Sequence, residues 1–326
     1  MNKPLTPSRI TYARVELKLS QTDLAEISGV SRVTISKIEN GVLLHPSFET
    51  ISALSWALKK PISFFYPSGE LTLKPSTIPS YRGMKTRSKT DVLRTQFKID
   101  DCMLLIQYLF SLIKPRTTNL QFYDSDSITD LSPEDVEGIA AYTRQQFKLG
   151  QGCIKPLTVL FENNGIICMP ADLPEKIDSV NISIPMGEGK ETVLILYKQS
   201  LNYYRQRFSL AHELGHVMLH HYVDEDEYVE HYDEFEKQAN KFASSFLMPK
   251  EAFYSTIRDV SLNGTLKLKN IWDVSAAAII WRMYDISVID KKRYEYFQIQ
   301  MAKKKWKTCE PGDKQASPEY PYYMRN

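Results

Sequence analysis

The segment AHELGHVMLHH, residues 211–221, limits the fold of this chain more than any other feature. It holds four of the six histidines in the 326 residues. His212 and His216 are four residues apart, so on a helix their side chains project from one face about one turn apart. Two neutral imidazoles at that separation can bind one zinc ion, and Glu213 can reach a water molecule on the open side. The spacing therefore predicts a helix that carries an HExxH metal site.

Such a site needs a third protein ligand, and the sequence downstream offers one. Residues 234–249, EFEKQANKFASSFLMP, place apolar side chains at helical spacing and predict a second amphipathic helix. Glu236 lies near its start and can complete a His, His, Glu set. Asn240 follows one turn later, where it can hydrogen-bond a ligand imidazole. We therefore predict a zinc site formed by His212, His216 and Glu236.

Three other histidines keep the choice of ligands open. His220 continues the four-residue series, and His221 and His231 lie nearby. A metzincin protease would need Gly and His where this chain has Leu219 and Tyr222, so that class is excluded. A single imidazole on an apolar helix face is more often a hydrogen-bonded core residue than a ligand. We expect His220 to pack behind the site or to hydrogen-bond a ligand.

Composition is that of a globular, reduced protein. Hydrophobic residues make up 43% and charged residues 25% of the chain, which is ordinary for globular domains. No apolar run approaches the roughly eighteen residues that span a bilayer, and the start MNKPLTPSRI has no apolar core of a secretory signal. The four cysteines are scattered without CxxC spacing, which indicates free thiols. We expect a cytoplasmic protein of two or three domains that does not enter a membrane.

Residues 8–66 predict five short helices, with a helix-turn-helix at SQTDLAEISGVSRVTISKIENG, residues 20–41. Ser20 can cap the first helix of the pair, and Ser31 can cap the second. Gly29 permits the tight turn between them. The segment resembles the lambda-repressor-like, Xre-type DNA-binding domain over about sixty residues, including the GVS turn and the ENG end. That resemblance implies a helical domain whose partner is a double-stranded DNA operator.

In that family the second helix of the pair enters the major groove. The resemblance implies DNA contacts at six positions, namely Gln21, Ser31, Arg32, Val33, Thr34 and Lys37. Arg32 can donate two hydrogen bonds to guanine, and Val33 can contact a thymine methyl. Lys37 can contact either a base or a phosphate. The alternative is a helical interaction domain without DNA binding, and the cationic Arg32 and Lys37 argue against it.

The net charge is only +2, so any DNA binding must come from local basic patches. Residues 74–98 carry seven Lys and Arg against one Asp, and Pro, Ser, Thr and Gly fill the first half. This composition indicates a basic linker that leads into a helix. Residues 224–236 hold eight acids without a Lys or Arg, which we interpret as a solvated surface.

The middle of the chain alternates helical and strand-like segments. Residues 91–114 and 132–149 predict helices. PLTVLFENNGIICMP, residues 156–170, has two apolar runs around a turn signal and predicts two short strands. TVLILYKQS, residues 192–200, predicts a strand just before the HExxH helix. Such a strand could serve as a sheet edge that pairs with an extended peptide.

Residues 207–221 and 236–249 together resemble the ImmA/IrrE family of zinc metallopeptidases, and the likeness covers roughly residues 132–255. In that family, His212, His216 and Glu236 would bind the metal, and Glu213 would be the catalytic carboxylate. Lys198 departs from the pattern, because a small polar residue such as Asn is expected there, and this bears only on substrate contacts. Family members typically cut a repressor protein.

These patterns predict a multidomain α+β protein with four segments. We expect an all-helical helix-turn-helix domain, a basic linker with a helical connector, a zincin-like metallopeptidase domain and a helical carboxy-terminal extension, over residues 1–68, 69–131, 132–255 and 256–326.

We expect a transcriptional regulator that binds its operator, with two related half-sites if it forms a homodimer, and that cleaves a partner repressor or itself. The alternatives are a non-proteolytic repressor whose zincin-like domain senses a metal or small effector, and a purely DNA-bound scaffold. Glu213 argues against both alternatives, because a structural zinc site needs ligands but no base.

Overall fold

The computed structural model describes most of the chain, namely residues 4–66, 73, 75, 88–124 and 128–321. The described residues form two compact units. The first contains those of 4–73 and 88–112, and the second contains Pro75 and those from 113 to 321. The linker predicted from residue 74 lies, as far as residue 87, outside the described residues except for Pro75. The four-segment division of the chain stays a prediction, while the α+β fold class is confirmed.

The first unit begins with five helical segments, as predicted for residues 8–66. They are α1 (Pro7–Glu16), α2 (Gln21–Ser28), α3 (Arg32–Glu39), α4 (Phe48–Ala57) and a 3₁₀ turn (Ile62–Phe65). Ser20 and Ser31 cap α2 and α3 through their side-chain oxygens, and Gly29 has a φ of 72°, the left-handed conformation that the tight turn requires. Leu24, Ile35 and other buried apolar side chains form the core of this helical domain.

A long helix, α5 (Lys89–Leu112), completes the first unit. It matches the helix predicted over 91–114. Phe97 places its ring 4.8 Å from that of Tyr12 on α1, which joins α5 to the amino-terminal helices. Ile99, Met103 and Ile106 are buried along the same helix.

The second unit contains three strands and nine helices among its described residues. The strands are β1 (Ile166–Ala171), β2 (Ser179–Gly187) and β3 (Lys190–Lys198). After a 3₁₀ turn (Ile128–Asp130), the helices are α6 (Pro133–Gln146), α7 (Leu157–Asn163), α8 (Tyr203–Leu219), α9 (Glu225–Glu230), α10 (Tyr232–Leu247), α11 (Lys250–Thr256), α12 (Leu262–Trp272), α13 (Ala276–Asp285) and α14 (Lys291–Lys303). Within the described part of the chain, no helix combines the length and apolar character of a membrane span.

The sheet has the strand order β1-β3-β2, with β1 parallel and β2 antiparallel to β3. The prediction that β3 could act as a sheet edge is wrong, because β3 lies between the two other strands. Four consecutive residues of β3, from Val193 to Leu196, are fully buried. An unbroken apolar run of this kind is typical of a strand covered on both faces.

A second difference concerns residues 156–170, where two strands were expected. The first apolar run forms the helix α7, and only the second forms a strand, β1. Leu157 and Phe161 are four residues apart and both fully buried, so the run presents one helical face to the core. Short apolar runs do not distinguish a buried helix from a strand by periodicity alone.

The helices α8 and α10 pack at close range beside the sheet. A Cβ atom at Gly215 would lie 3.1 Å from the carbonyl oxygen of Ala239 and 3.1 Å from Cδ1 of Phe242. Glycine therefore lets the two helices approach more closely than a larger residue would. The apolar face of α10 predicted from the sequence, which includes Phe235 and Phe246, is fully buried.

A buried ion cluster joins α6, α10 and α13. Arg282, whose side chain is fully buried, binds the carboxylates of Glu137 and Asp285, and Lys241 contacts both at 2.8 Å. Burial alone would raise the pKa of Glu137, but the hydrogen bonds and charges of Arg282 and Lys241 lower it to about 2. The helix α13 is thereby fixed to α6 and α10.

We expect Glu137→Gln to destabilise the protein at neutral pH by roughly 3 kcal/mol or less. The depressed pKa means that the ionised Glu137 stabilises the fold above about pH 4.5, and that this contribution is lost as the pH falls towards 2. The difference between the wild-type and variant free energies of unfolding should therefore shrink below pH 4.5. Glu134→Gln, in the exposed first turn of the same helix, is the control. A difference that is independent of pH would contradict this prediction.

Candidate metal centre and DNA-contacting helix

The helix α8 is anchored before it reaches the histidines. Asn202 caps it by accepting a hydrogen bond from the backbone N–H of Arg205 at 2.9 Å. One turn later, the fully buried Arg207 donates to the carbonyl oxygens of Asp273 and Ile154, at 3.0 and 2.6 Å. A third bond, to the carboxylate of Glu319, is 2.6 Å long. These bonds fix the direction in which the following turns of α8 present their side chains.

Three side-chain atoms converge at the predicted metal site. The Nε2 atoms of His212 and His216 lie 3.0 Å apart, and the Glu236 carboxylate oxygens lie 3.5 Å and 3.4 Å from them. Zn–N and Zn–O bonds of about 2.0–2.1 Å in a tetrahedron separate neighbouring ligand atoms by about 3.3–3.4 Å. The donor set and its spacing therefore fit one zinc-sized cation.

The electrostatics of this cluster also favour a cation. Burial alone would raise the pKa of Glu236, but hydrogen bonds and charges from His216 and His212 lower it well below its usual range. Burial would lower the pKa of His212, yet the Glu236 carboxylate raises it. A carboxylate that holds its charge between two imidazoles is suited to a positive ion.

Asn240 lies where it can support two of these residues. Its Oδ1 is 3.2 Å from Nδ1 of His212, and its Nδ2 donates to the carbonyl oxygen of Glu236 at 2.8 Å. The second bond orients the amide, so Oδ1 is presented as an acceptor to His212. The predicted supporting role of Asn240 is compatible with this geometry.

Behind the other imidazole lie His220, which was expected to pack there or to hydrogen-bond a ligand, and two residues that the sequence did not connect to it, Tyr228 and Gln238. Nδ1 of His216 is 3.0 Å from Nδ1 of His220 and 3.2 Å from the hydroxyl of Tyr228. Nε2 of His220 is 2.8 Å from Oε1 of Gln238. Burial, followed by the charge of a protonated His216, lowers the pKa of His220 well below its usual value. The structure therefore places His220 behind His216 and not among the ligand atoms.

Glu213 points towards β2, and its side chain is only 2% exposed. Ser179 donates from Oγ to Oε1 at 2.7 Å, and Asn181 donates from Nδ2 to Oε2 at 2.6 Å. Sequence reasoning missed both donors. Their signal was two polar residues at i and i+2 in the apolar strand SVNISI, which places them on one face of β2.

Lys198, the departure from the family pattern, ends β3. Its Nζ donates to the carbonyl oxygens of Pro174 and Glu175, at 3.2 and 2.6 Å. It therefore holds the loop between β1 and β2.

The six predicted DNA-contacting residues divide into three that are exposed on α3 and three whose side chains form hydrogen bonds within the domain. Arg32, Val33 and Lys37 are exposed on α3, and Val33 has 65% of its surface accessible. Gln21 instead donates from Nε2 to the carboxylate of Glu39 at 2.7 Å. The Glu39 carboxylate also forms an ion pair with Arg14, whose Nε lies 2.7 Å away.

The remaining two side chains make local bonds. Ser31 accepts from the backbone N–H of Thr34 at 3.1 Å, and the hydroxyls of the two residues are 2.8 Å apart. The roles of all six residues at DNA stay predictions.

Comparison with known families matches two separate parts of the chain. A helix-turn-helix family model matches residues 10–65, and the model for the IrrE N-terminal-like domain of M78 peptidases matches residues 175–284. The second range contains all three candidate metal ligands and Glu213. This chain joins a helix-turn-helix domain to an M78 peptidase-family domain. Both resemblances predicted from the sequence are confirmed, and the M78 match extends through α13, beyond the predicted end at residue 255.

Among solved structures, a Mycobacterium tuberculosis transcriptional regulator is similar at 18% sequence identity and a TM-score of 0.35. The alignment covers 46% of this chain and 46% of the regulator chain, which is less than half of either. A search of curated proteins found no match.

Proposed function

We propose that the protein is a DNA-binding transcriptional regulator whose M78 domain is a zinc-dependent endopeptidase. It acts in the cytoplasm and cleaves a partner repressor, or its own chain, to switch gene expression. The observation that carries this proposal is that His212 and His216 on α8 converge with Glu236 on α10, and that α8 also carries Glu213. The match of the first unit to the helix-turn-helix family supports the DNA-binding part.

The donor set favours zinc as the metal. Two imidazoles and one carboxylate from the protein leave one coordination position open, as in zinc peptidases of the His₂Glu type. When bound, zinc supplies Lewis acidity at that open position.

Glu213 is the proposed general base. It removes a proton from the attacking water, and it returns the proton to the leaving amine when the peptide C–N bond breaks. Its Oε1 accepts a hydrogen bond from Ser179, and its Oε2 accepts one from Asn181. The two donors on β2 hold the carboxylate in one orientation.

One observation favours the second candidate function, a repressor whose M78 domain senses a metal or small effector without cleavage. Both oxygens of Glu213 are engaged by β2, and the side chain has almost no access to solvent. A sensor that does not cleave needs no base, so a buried carboxylate bonded to β2 is compatible with it. Comparing the proteomes of cells that carry the wild type or Glu213→Gln tests the choice, because the endopeptidase predicts a fragment that disappears in the variant.

We expect Arg32→Glu to weaken specific DNA binding by about 100-fold or more. The substitution removes a bidentate donor to guanine, worth about 1–3 kcal/mol, and adds repulsion from phosphates. The measurement is binding of the full-length protein to DNA selected from a random library by the wild type. If the protein is a homodimer, the selected sites should contain two related half-sites.

Lys59→Glu is the matched control for Arg32→Glu. Lys59 is exposed at the end of α4, and the substitution makes the same charge reversal in the same domain but away from α3. It should reduce binding far less. Equal losses in the two variants would indicate a non-specific charge effect, and unchanged binding by Arg32→Glu would remove α3 from the DNA interface.

A further inference from the structure

A chain of hydrogen bonds runs from His216 to a backbone carbonyl far away in the sequence. Nδ1 of His216 contacts Nδ1 of His220 at 3.0 Å, and Nε2 of His220 contacts Oε1 of Gln238 at 2.8 Å. Nε2 of Gln238 then donates to the carbonyl oxygen of Ile128 at 2.9 Å. His216, His220 and Gln238 are all buried, so these bonds are shielded from water.

The far end of this chain fixes the direction of every bond in it. A carbonyl oxygen only accepts, so the amide nitrogen of Gln238 faces Ile128 and its Oε1 faces His220. Oε1 also only accepts, so Nε2 of His220 carries a proton. His220 is buried between an amide and an imidazole, where a second proton would place an unpaired charge in the interior, so it carries one proton. Its Nδ1 is then an acceptor, and Nδ1 of His216 must be the donor.

The position of this proton determines what the opposite side of the His216 ring can do. With the proton on Nδ1, the Nε2 atom of neutral His216 has a free lone pair. That atom is the one that faces His212 and Glu236. Only this tautomer can offer Nε2 to a metal ion, and without the acceptor at His220 the proton would be free to occupy Nε2 instead.

We propose that His220 and Gln238 are positioning residues that hold His216 in its metal-binding tautomer and thereby raise the affinity of the site for zinc. This inference rests on the proposed function only in that it concerns the same metal site. Neither side chain is among the converging ligand atoms. Both act through His216.

Tyr228 is a second acceptor for the same proton but a weaker one. Its hydroxyl lies 3.2 Å from Nδ1 of His216, against 3.0 Å for His220. A hydroxyl can also donate, so it does not by itself fix the tautomer. Tyr228→Phe is therefore expected to reduce zinc affinity less than the loss of His220.

The test uses ring- and length-conserving variants of the full-length protein. His220→Phe keeps a ring beside Phe235, whose centroid is 4.6 Å away, but removes both hydrogen bonds. Gln238→Met keeps the length of the side chain and removes the bonds to His220 and Ile128. The dissociation constant for Zn²⁺ alone is measured by competition with a chromophoric chelator. Both variants should bind zinc about 10–100-fold more weakly than the wild type, as is typical when the support of a ligand imidazole is lost.

His221→Phe is the matched control, since it is the same substitution one residue away. His221 stacks on Phe122 with the centroids 4.1 Å apart and contacts Glu191, outside the chain behind His216. The zinc affinity of the His221→Phe protein should stay within about twofold of that of the wild type. An equal loss in His221→Phe, or wild-type affinity in a folded Gln238→Met protein, would overturn the proposal.

A tautomer measurement distinguishes positioning from general support of the fold. In ¹⁵N-histidine spectra of the zinc-loaded wild type, His216 should be protonated at Nδ1, and His220 should be neutral with its proton on Nε2. The opposite protonation of His220 would also overturn the proposal. Absence of proteolysis by the wild type would instead count only against the proposed function, because zinc affinity and tautomer do not depend on it.

Discussion

Glu213→Gln is expected to stop cleavage of the partner protein, or of the chain itself, while zinc content and fold are unchanged. Glutamine can accept from Nδ2 of Asn181 through its carbonyl oxygen and donate to Oγ of Ser179 through its amide nitrogen. The hydrogen bonds from Ser179 and Asn181 can therefore be replaced by equivalent ones in the variant. An amide does not take up the proton of the attacking water at neutral pH. The cleavage rate should fall by about 10²–10⁴-fold, the usual contribution of a general base.

The measurement combines proteomics of cells with zinc analysis of the purified variant. Glu251→Gln, which makes the same chemical change at an exposed position at the start of α11, is the control and should leave both unchanged. A fragment that is present with the wild type and absent with Glu213→Gln would identify the substrate. Undiminished induction of target genes in the Gln variant would favour the sensor, which should lose regulation on His216→Ala instead.

The convergence of the candidate metal ligands could be predicted because these residues follow local rules. His212 and His216 lie one turn apart on a helix, and the apolar spacing of residues 234–249 was sufficient to place Glu236 on a second helix. Gly215 then allows the two helices to approach each other closely. Periodicity and ligand chemistry therefore predicted the cluster whose atoms the structure brings together.

The surroundings of that cluster could not be predicted in the same way. Asn181 reaches Glu213 only because of the register of β2 beside α8, and Ile128 reaches Gln238 across 110 residues of sequence. The position of β3 between two strands also depends on pairing between distant segments. Local patterns carry no information about such pairings. The prediction of a strand at α7 is wrong because the short, largely apolar run LTVLF, residues 157–161, fits both periods.

Glu236→Ala is expected to abolish stoichiometric zinc binding, with a loss of affinity larger than the roughly 10–100-fold typical of residues behind a ligand. Three protein ligands are needed at a catalytic zinc site, and the substitution leaves two imidazoles. The wild type should contain about one zinc per chain. The hydrogen bond that orients Asn240 should survive, since Asn240 bonds the backbone carbonyl of Glu236 and not its carboxylate. The change therefore isolates the missing ligand.

Glu234→Ala is the matched control, because Glu234 lies two residues earlier in the same helix and pairs with Lys237 at the surface, 3.2 Å away. It should retain zinc at the wild-type level when both proteins are analysed for bound metal after the same dialysis. Full zinc retention by Glu236→Ala would move the third ligand elsewhere. His220 is poorly placed for that role, because its two nitrogens face His216 and Gln238. His231, the N-cap residue of α10, would then be the residue to replace next.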